Sequence, residues 1–282
     1  MMKQLIGIGI LLMTIGCTSQ PQEVVHEPTH PAEHDPAEHD RLEHDQGGHP
    51  HAHRSQVGPK LIVATDPNDP VAGHPITLKL MIHAADGAMV KDFEVIHDEK
   101  VHLIIVRDGL DHFAHIHPTA DEAGNLTITH TFPVGGKYQL FADYLPAGGG
   151  PLTATATLSV AGDSPPAPAL VVNAPGEVTA DSIHATIAAA PLKVGAPTHV
   201  SFTMRDEAGV PATLERYMGA LGHLMFVNSA AKYVHVHPLT GDADQGTVKF
   251  EAHFTEPGLY KGWGQFKQSG QVRVIPFALK VE

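Results

Sequence analysis

Residues 102–118 read HLIIVRDGLDHFAHIHP, and residues 223–238 read HLMFVNSAAKYVHVHP. Each stretch is a His-led apolar run, a turn, a second run and a closing His-x-His-Pro. Short apolar runs rich in β-branched and aromatic residues, bounded by Gly, Asp, Asn and Pro, are the pattern of strands rather than helices. Imidazole is the commonest protein ligand for zinc and copper. A three-His pattern on β-type sequence, present twice, therefore implies metal binding by a duplicated β domain.

The geometry of a hairpin sharpens this. Asp108-Gly109 is a two-residue turn signal. A hairpin centred there pairs Arg107 with Leu110 and sets His102 opposite His115, with His117 two residues on and on the same face. Directly opposed Cβ atoms lie about 5 Å apart and diagonal ones about 7–8 Å, within reach of one ion. The second copy is one residue shorter. A three-residue loop, Asn228-Ser229-Ala230, pairs Val227 with Ala231 and again sets His223 opposite His235, with His237 in the role of His117. The expected metal ligands are His102, His115 and His117, and His223, His235 and His237. Two sites, one site shared between the copies, and one live site beside a degenerate copy all remain open.

Further ligands are available nearby. His97 and Met218 each stand five residues before the first His of their copy. A His/Met set would favour Cu(I), and Met204 and Met225 are additional thioethers, although Met at such spacings more often fills a core. Glu94 and Glu215 correspond between the copies. Asp111 projects to the His face in the first copy only. His130 and His253 fall on another pair of strands, and His74, His83, His112, His184 and His199 are unassigned.

Outward from the hairpins, the sequence repeats at an offset of about 122 residues. Gly73-His74-Pro75 matches Gly195-Ala196-Pro197, and Ala85-Asp86-Gly87 matches Glu207-Ala208-Gly209. Phe132, Gly136 and Tyr138 match Phe254, Gly258 and Tyr260. Short apolar runs alternate with Gly, Pro and Asp-Gly punctuation throughout, which predicts an all-β chain of two tandem β-sandwiches. The sandwiches span 59–162 and 170–282, joined by the Pro-rich linker 163–169 (DSPPAPA). The run Gly258–Phe266 (GLYKGWGQF) reads as a buried strand with exposed glycine kinks and core aromatics.

The N-terminal part differs. Residues 18–58 form a low-complexity tether containing PAEHD, PAEHD and RLEHD, too poor in apolar groups to offset the entropy of ordering. Its His34, His39, His44, His49, His51 and His53 stand among carboxylates and suit weak, exchangeable capture of divalent ions. Lys3 and the apolar run Leu5–Ile15 form a signal peptide (1–17), too short to span a bilayer. Its end, Thr14-Ile15-Gly16-Cys17, resembles the lipobox of bacterial lipoproteins, which implies lipidation of Cys17. Thr18 in place of Asp implies an outer-membrane anchor facing the periplasm. Cys17 is the only cysteine, which excludes thiolate zinc fingers, iron–sulfur clusters and blue-copper centres. A net charge of −13 argues against nucleic acid as a partner.

Together the lipobox, the His-rich leader, the HLxxV…HxHP hairpins and the PGxYxxxxxF run resemble secreted bacterial YtkA-like and cupredoxin-like proteins. The resemblance covers roughly residues 59–282. It implies Ig-like or Greek-key β-sandwich domains in a copper-handling lipoprotein, with copper as Cu(II) or Cu(I) and zinc as the alternative. The implied partners are metal ions, the membrane through the lipid anchor alone, and a metal transporter or periplasmic protein. Competing readings are a three-His zinc enzyme, for which no nucleophile or general-base motif is found, and a lipid-anchored interaction module with incidental His.

Overall fold

The computed structural model describes residues 58–282 apart from Asp181 and His237. The leader with Cys17, the tether up to residue 57 with its eight histidines, and His237 lie outside the described residues. Two antiparallel sandwiches follow one another within one compact unit, Arg54–Glu282. The first holds β1 (Lys60–Asp66), β2 (Pro75–His83), β3 (Phe93–Glu94), β4 (Val101–Arg107) and β5 (Phe113–Ile116). It continues with β6 (Thr119–Ala120), β7 (Leu126–Thr131), β8 (Gly136–Pro146) and β9 (Leu152–Val160). The second holds β10 (Gly176–Ala180), β11 (Ile183–Ala190), β12 (Pro197–Arg205), β13 (His223–Asn228) and β14 (Tyr233–Val236). It ends with β15 (Pro238–Asp242), β16 (Thr247–His253), β17 (Gly258–Gln268) and β18 (Gln271–Val281).

In the first sandwich a layer ordered β1-β2-β7-β6 faces a layer ordered β5-β4-β8-β9, with β3 on β8. Parallel bridges of Lys60 with Thr155 and of Val71 with Ala161 join the layers at one edge. In the second, β10-β11-β12-β16-β15 faces β14-β13-β17-β18. This is the immunoglobulin-like Greek-key order, with β10 as the second sandwich's extra strand. Each copy also carries a tyrosine corner at the start of the long strand. Tyr138 Oη donates to Val134 O at 2.7 Å, and Tyr260 Oη donates to Glu256 O at 2.9 Å.

Alternation along the strands sets what each layer buries. Leu103 and Ile105 of β4 point into the first core, with Leu78, Leu80, Tyr138 and Leu140. Leu224 and Phe226 of β13 point into the second core, with Phe202, Phe250 and Phe277. The other faces of the same strands are buried too. Ile104, Val106, Leu110 and Phe141 meet Met225, Val227 and Trp263 in a third cluster between the sandwiches. Every residue of β4 and β13 is therefore buried, which is why both read as unbroken apolar runs.

The stacking across this interface is reciprocal. Phe113 of the first sandwich stacks on Trp263 of the second at 4.9 Å and 13°. Tyr233 of the second stacks on Phe141 of the first at 4.6 Å and 14°. Phe113 corresponds to Tyr233 and Phe141 to Trp263, so the two stacks are one arrangement seen from either side of a local two-fold.

Three expectations are corrected. The first hairpin does not turn on Asp108-Gly109 alone. Arg107 N donates to His112 O at 3.1 Å, enclosing a four-residue loop, and Ile104 rather than His102 lies opposite His115. Leu110, with φ 58°, tucks into the interface cluster, and Asp111 is held by Arg107 at 2.7 Å in that loop rather than on the His face. Tertiary burial here outweighs local turn preference. In the second hairpin the loop is Ser229–Ala231, and Met225 lies opposite His235. Asn228 Oδ1 accepts the amides of Ala230 and Lys232, both at 2.9 Å, which shifts the loop by one residue. Both changes move the register by an even number of positions, so the histidines keep their common face. Finally, Gly262 and Gly264 are buried, not exposed kinks. A Cβ on Gly262 would stand 2.5 Å from Phe277 Cζ, and one on Gly264 2.8 Å from Phe266 Cε2. Trp263 between them faces the interface, whereas Tyr260 and Phe266 belong to the core.

Candidate metal centre

His102 and His223 open β4 and β13 on the face of the strand that meets the other sandwich. They are 2% and 0% exposed. His115 and His235 sit on β5 and β14, and His117 follows β5. His97 stands in a tight turn (Ile96 bridged to Glu99) with φ 50°, and Met218 occupies the same turn of the second copy with φ 53°. The docking of the sandwiches gathers His97, His102, His115, His117, His223 and His235 into one cluster. His115 lies 5.9 Å from His223 and 6.5 Å from His235, ring centre to ring centre, and His97 lies 5.8 Å from His223.

The outer hydrogen bonds fix which nitrogen of each ring faces inward. His102 Nε2–H donates to Ile96 O at 2.9 Å, and His223 Nε2–H donates to Tyr217 O at 3.0 Å. A carbonyl can only accept, so each neutral ring carries its lone pair on Nδ1. The second pair of rings reaches across the interface. His115 Nδ1–H donates to Gln265 Oε1 at 2.6 Å, and His235 Nδ1–H donates to Asp143 Oδ2 at 2.7 Å. A neutral ring so bonded carries its lone pair on Nε2. Gln265 and Asp143 occupy equivalent positions of β17 and β8, so each sandwich orients the central histidine of the other. Asp143 is further held by Tyr233 Oη at 2.5 Å and Thr153 Oγ1 at 2.6 Å.

The lone pairs converge. His102 Nδ1 lies 3.1 Å from His115 Nε2, which lies 3.2 Å from His117 Nε2. The three candidate ligand atoms fall within 4.8 Å of one another. Four ligands at about 2.0–2.1 Å around a tetrahedral ion stand about 3.3–3.4 Å apart, close to this spacing. Burial pushes His115 well below its ordinary value and His117 down to about 4. Burial also lowers His102, against the pull of the Ile96 carbonyl. Protons are thus disfavoured between these nitrogens at neutral pH. Burial opposes ionisation of Asp143, but its bonds from His235, Thr153 and Tyr233 hold it below the usual carboxylate range.

The other sequence candidates fall elsewhere. Glu94 Oε1 accepts Gly148 N at 3.0 Å and Glu215 Oε1 accepts Gly270 N at 2.7 Å, so both close turns. Met225 packs in the interface cluster and Met204 in the second core. Asp143 and Gln265 escaped the sequence reading. The signal was present in the duplication, where FADY (141–144) matches WGQF (263–266).

A family model described as "Domain of unknown function (DUF8832)" matches twice, at residues 48–162 and 178–282. The chain belongs to this family. No curated protein matches it. Among solved structures, it is similar to a tetra-tandem repeat in the extending region of a large adhesion protein. Identity is 14% and the TM-score 0.27, covering 80% of this chain and 50% of that one. It is also similar to the D00-D0 domain of intimin, at 11% identity and TM-score 0.23, covering 78% and 98%. Fibronectin(III)-like modules of CbhA from Clostridium thermocellum match at 12% identity and TM-score 0.21, covering 78% and 93%. The immunoglobulin-like assignment rests on the strand order and the two tyrosine corners.

Proposed function

We propose that this chain is a metal-binding protein of the bacterial cell envelope, with a transition-metal ion held by His102, His115 and His117 at the interface of its sandwiches. The observation that carries the reading is the meeting of inward nitrogens at 3.1 and 3.2 Å, two of them on rings whose outer nitrogens are committed to hydrogen-bond acceptors. Lone pairs facing one another repel. A cation between them relieves the repulsion, and burial favours a metal ion over a proton there. An all-imidazole set suits Cu(II) or Zn(II), and ligand affinity favours Cu(II) where both are present. The protein would bind, buffer or deliver copper, with zinc as the alternative cargo. The His-rich tether would collect ions, and a lipid on Cys17 would anchor the chain at the outer membrane. The role is one of binding, without catalysis.

The test is a competition titration of the full chain with Cu(II), Cu(I) and Zn(II), comparing the native protein with the His115→Gln/His117→Gln double variant. Loss of one tightly held ion in the variant supports the reading. Equal tight binding by both proteins refutes it and favours an interaction module whose histidines are incidental.

A further inference from the structure

Lys261 and Trp263 stand two residues apart on β17 and so share a face. Beside them lies a cavity of about 560 Å³, bounded by the first hairpin loop, the end of the linker and the sheet of β17 and β18. Pockets for small ligands typically measure roughly 300–1,000 Å³. None of the clustered histidines lines this one. Leu110, Phe113, Leu170, Trp263 and Val274 give it apolar walls. Those walls are fixed in place. Phe113 and Trp263 are stacked on each other. Arg107 holds the start of the linker, donating to Ser164 Oγ at 2.9 Å and to Pro165 O at 2.7 Å. Asn173 holds the chain just past its end, donating its backbone amide to Ala278 O at 3.1 Å and accepting Ala278 N on Oδ1 at 2.7 Å. Lys261 is half-buried in the lining, and its amine has no hydrogen bond or ion pair among the described residues. Asp111, also in the lining, is already held by Arg107 at 2.7 Å. Burial alone lowers the Lys261 amine from the ordinary lysine value, the mark of a cation short of both water and a counter-charge. The equivalent residue of the first sandwich, Gln139, is partnered, giving its amide to Asp108 Oδ1 at 2.7 Å.

We propose that this cavity binds a small organic carboxylate, with its apolar body against Leu170 and the Phe113–Trp263 stack and its carboxylate on the Lys261 ammonium. An apolar wall with one fixed charge is the usual make-up of a ligand pocket: the wall supplies burial and the charge sets orientation. A carboxylate gives the ammonium the partner that burial denies it, through a charge-assisted hydrogen bond. A flat aromatic body suits a wall built from two stacked rings. A neutral molecule of the same shape fills the same space and leaves the ammonium unpaired. The site is separate from the His102/His115/His117 centre and needs no metal.

Trp263 is the only tryptophan of the chain, so its fluorescence reads the cavity. The experiment titrates the full chain, with a chelator present, with phenylacetate and separately with phenylacetamide, its neutral counterpart. The native chain should give a saturable change in Trp263 emission and bind the acid about 10-fold more tightly than the amide. Lys261→Met keeps the apolar stem and should bring the acid to the affinity of the amide, and Lys261→Arg should restore the preference. No saturable response, equal affinities on the native chain, or a preference for the acid that persists in Lys261→Met overturns the proposal. Should thermal melts show that Lys261→Met does not fold, the native chain decides, by the acid and amide affinities together with nuclear Overhauser contacts between the phenyl protons of bound phenylacetate and the Trp263 indole. Such contacts with tighter binding of the acid support the site. Their absence from a saturated sample places the ligand elsewhere and overturns it.

Discussion

The two sandwiches share a strand order, a tyrosine corner and a His hairpin, yet they stand differently at the surface where they meet. The first sandwich's central histidine, His115, leans on a neutral amide, Gln265, whereas the second's, His235, leans on Asp143. Around Asp143 the second hairpin adds a phenol, Tyr233, where the first hairpin has Phe113, which has no hydroxyl to offer Gln265. Duplication has thus kept the hairpin imidazoles, replaced His97 with Met218, and changed the charge behind the central ring. The lesson is that each hairpin supplies its own imidazoles, while the facing sandwich supplies the group that orients the central one.

The comparison can be broken most strongly at the stack that holds the halves together. Trp263→Ala removes the ring under Phe113 and should destabilise the protein by about 3–5 kcal/mol, read from chemical denaturation. Phe113→Ala, at a half-buried position, should cost less. Tyr233→Phe removes a hydrogen bond to the Asp143 carboxylate and should cost about 1.5–3 kcal/mol, with no such loss for Phe113→Tyr. The comparison is sharpened by Gln265→Glu, which gives both central histidines a carboxylate. It should tighten Zn(II) at the His102/His115/His117 centre by about 10-fold. A separate effect is on pH dependence without metal. Burial holds His112, His117 and His223 at about 4, against 6.5 for an ordinary histidine. Between these values the unfolded chain binds more protons than the folded one. Stability should be full above about pH 6.5 and fall as the pH drops toward 4. Denaturation midpoints at pH 7.5, 5.5 and 4.5, in the presence of a chelator, measure the slope.

The fold was largely legible in the chain. The matching of Phe132, Gly136 and Tyr138 with Phe254, Gly258 and Tyr260 gave the duplication, because these residues build a strand entry and its tyrosine corner. The common face of His102, His115 and His117 was legible because side-chain direction alternates along a strand, and a register error of two positions leaves it unchanged. The register itself was not, since Leu110 and Asp111 settle the loop through contacts that only the folded chain provides. The sharing of the site was left open for the same reason. Yet one signal was available: LIIV (103–106) and LMFV (224–227) are apolar at every position, as strands buried on both faces are. A strand buried on its outward face as well as its core face must meet another body, and the His at its head goes with it. Asp143 and Gln265 needed that insight first, because they matter only across the interface.

The central claim is that lone pairs converge between the sandwiches, and nitrogen NMR of the imidazole rings tests it most directly. In metal-free protein at pH 7, the account predicts neutral rings with the proton on Nε2 of His102 and His223 and on Nδ1 of His115. One equivalent of Zn(II) beyond that taken up by the tether should then move the unprotonated nitrogens and leave the protonated ones in place. Imidazolium rings at His102, His115 or His223, or the opposite tautomers there with no response of these nitrogens to Zn(II), would contradict it.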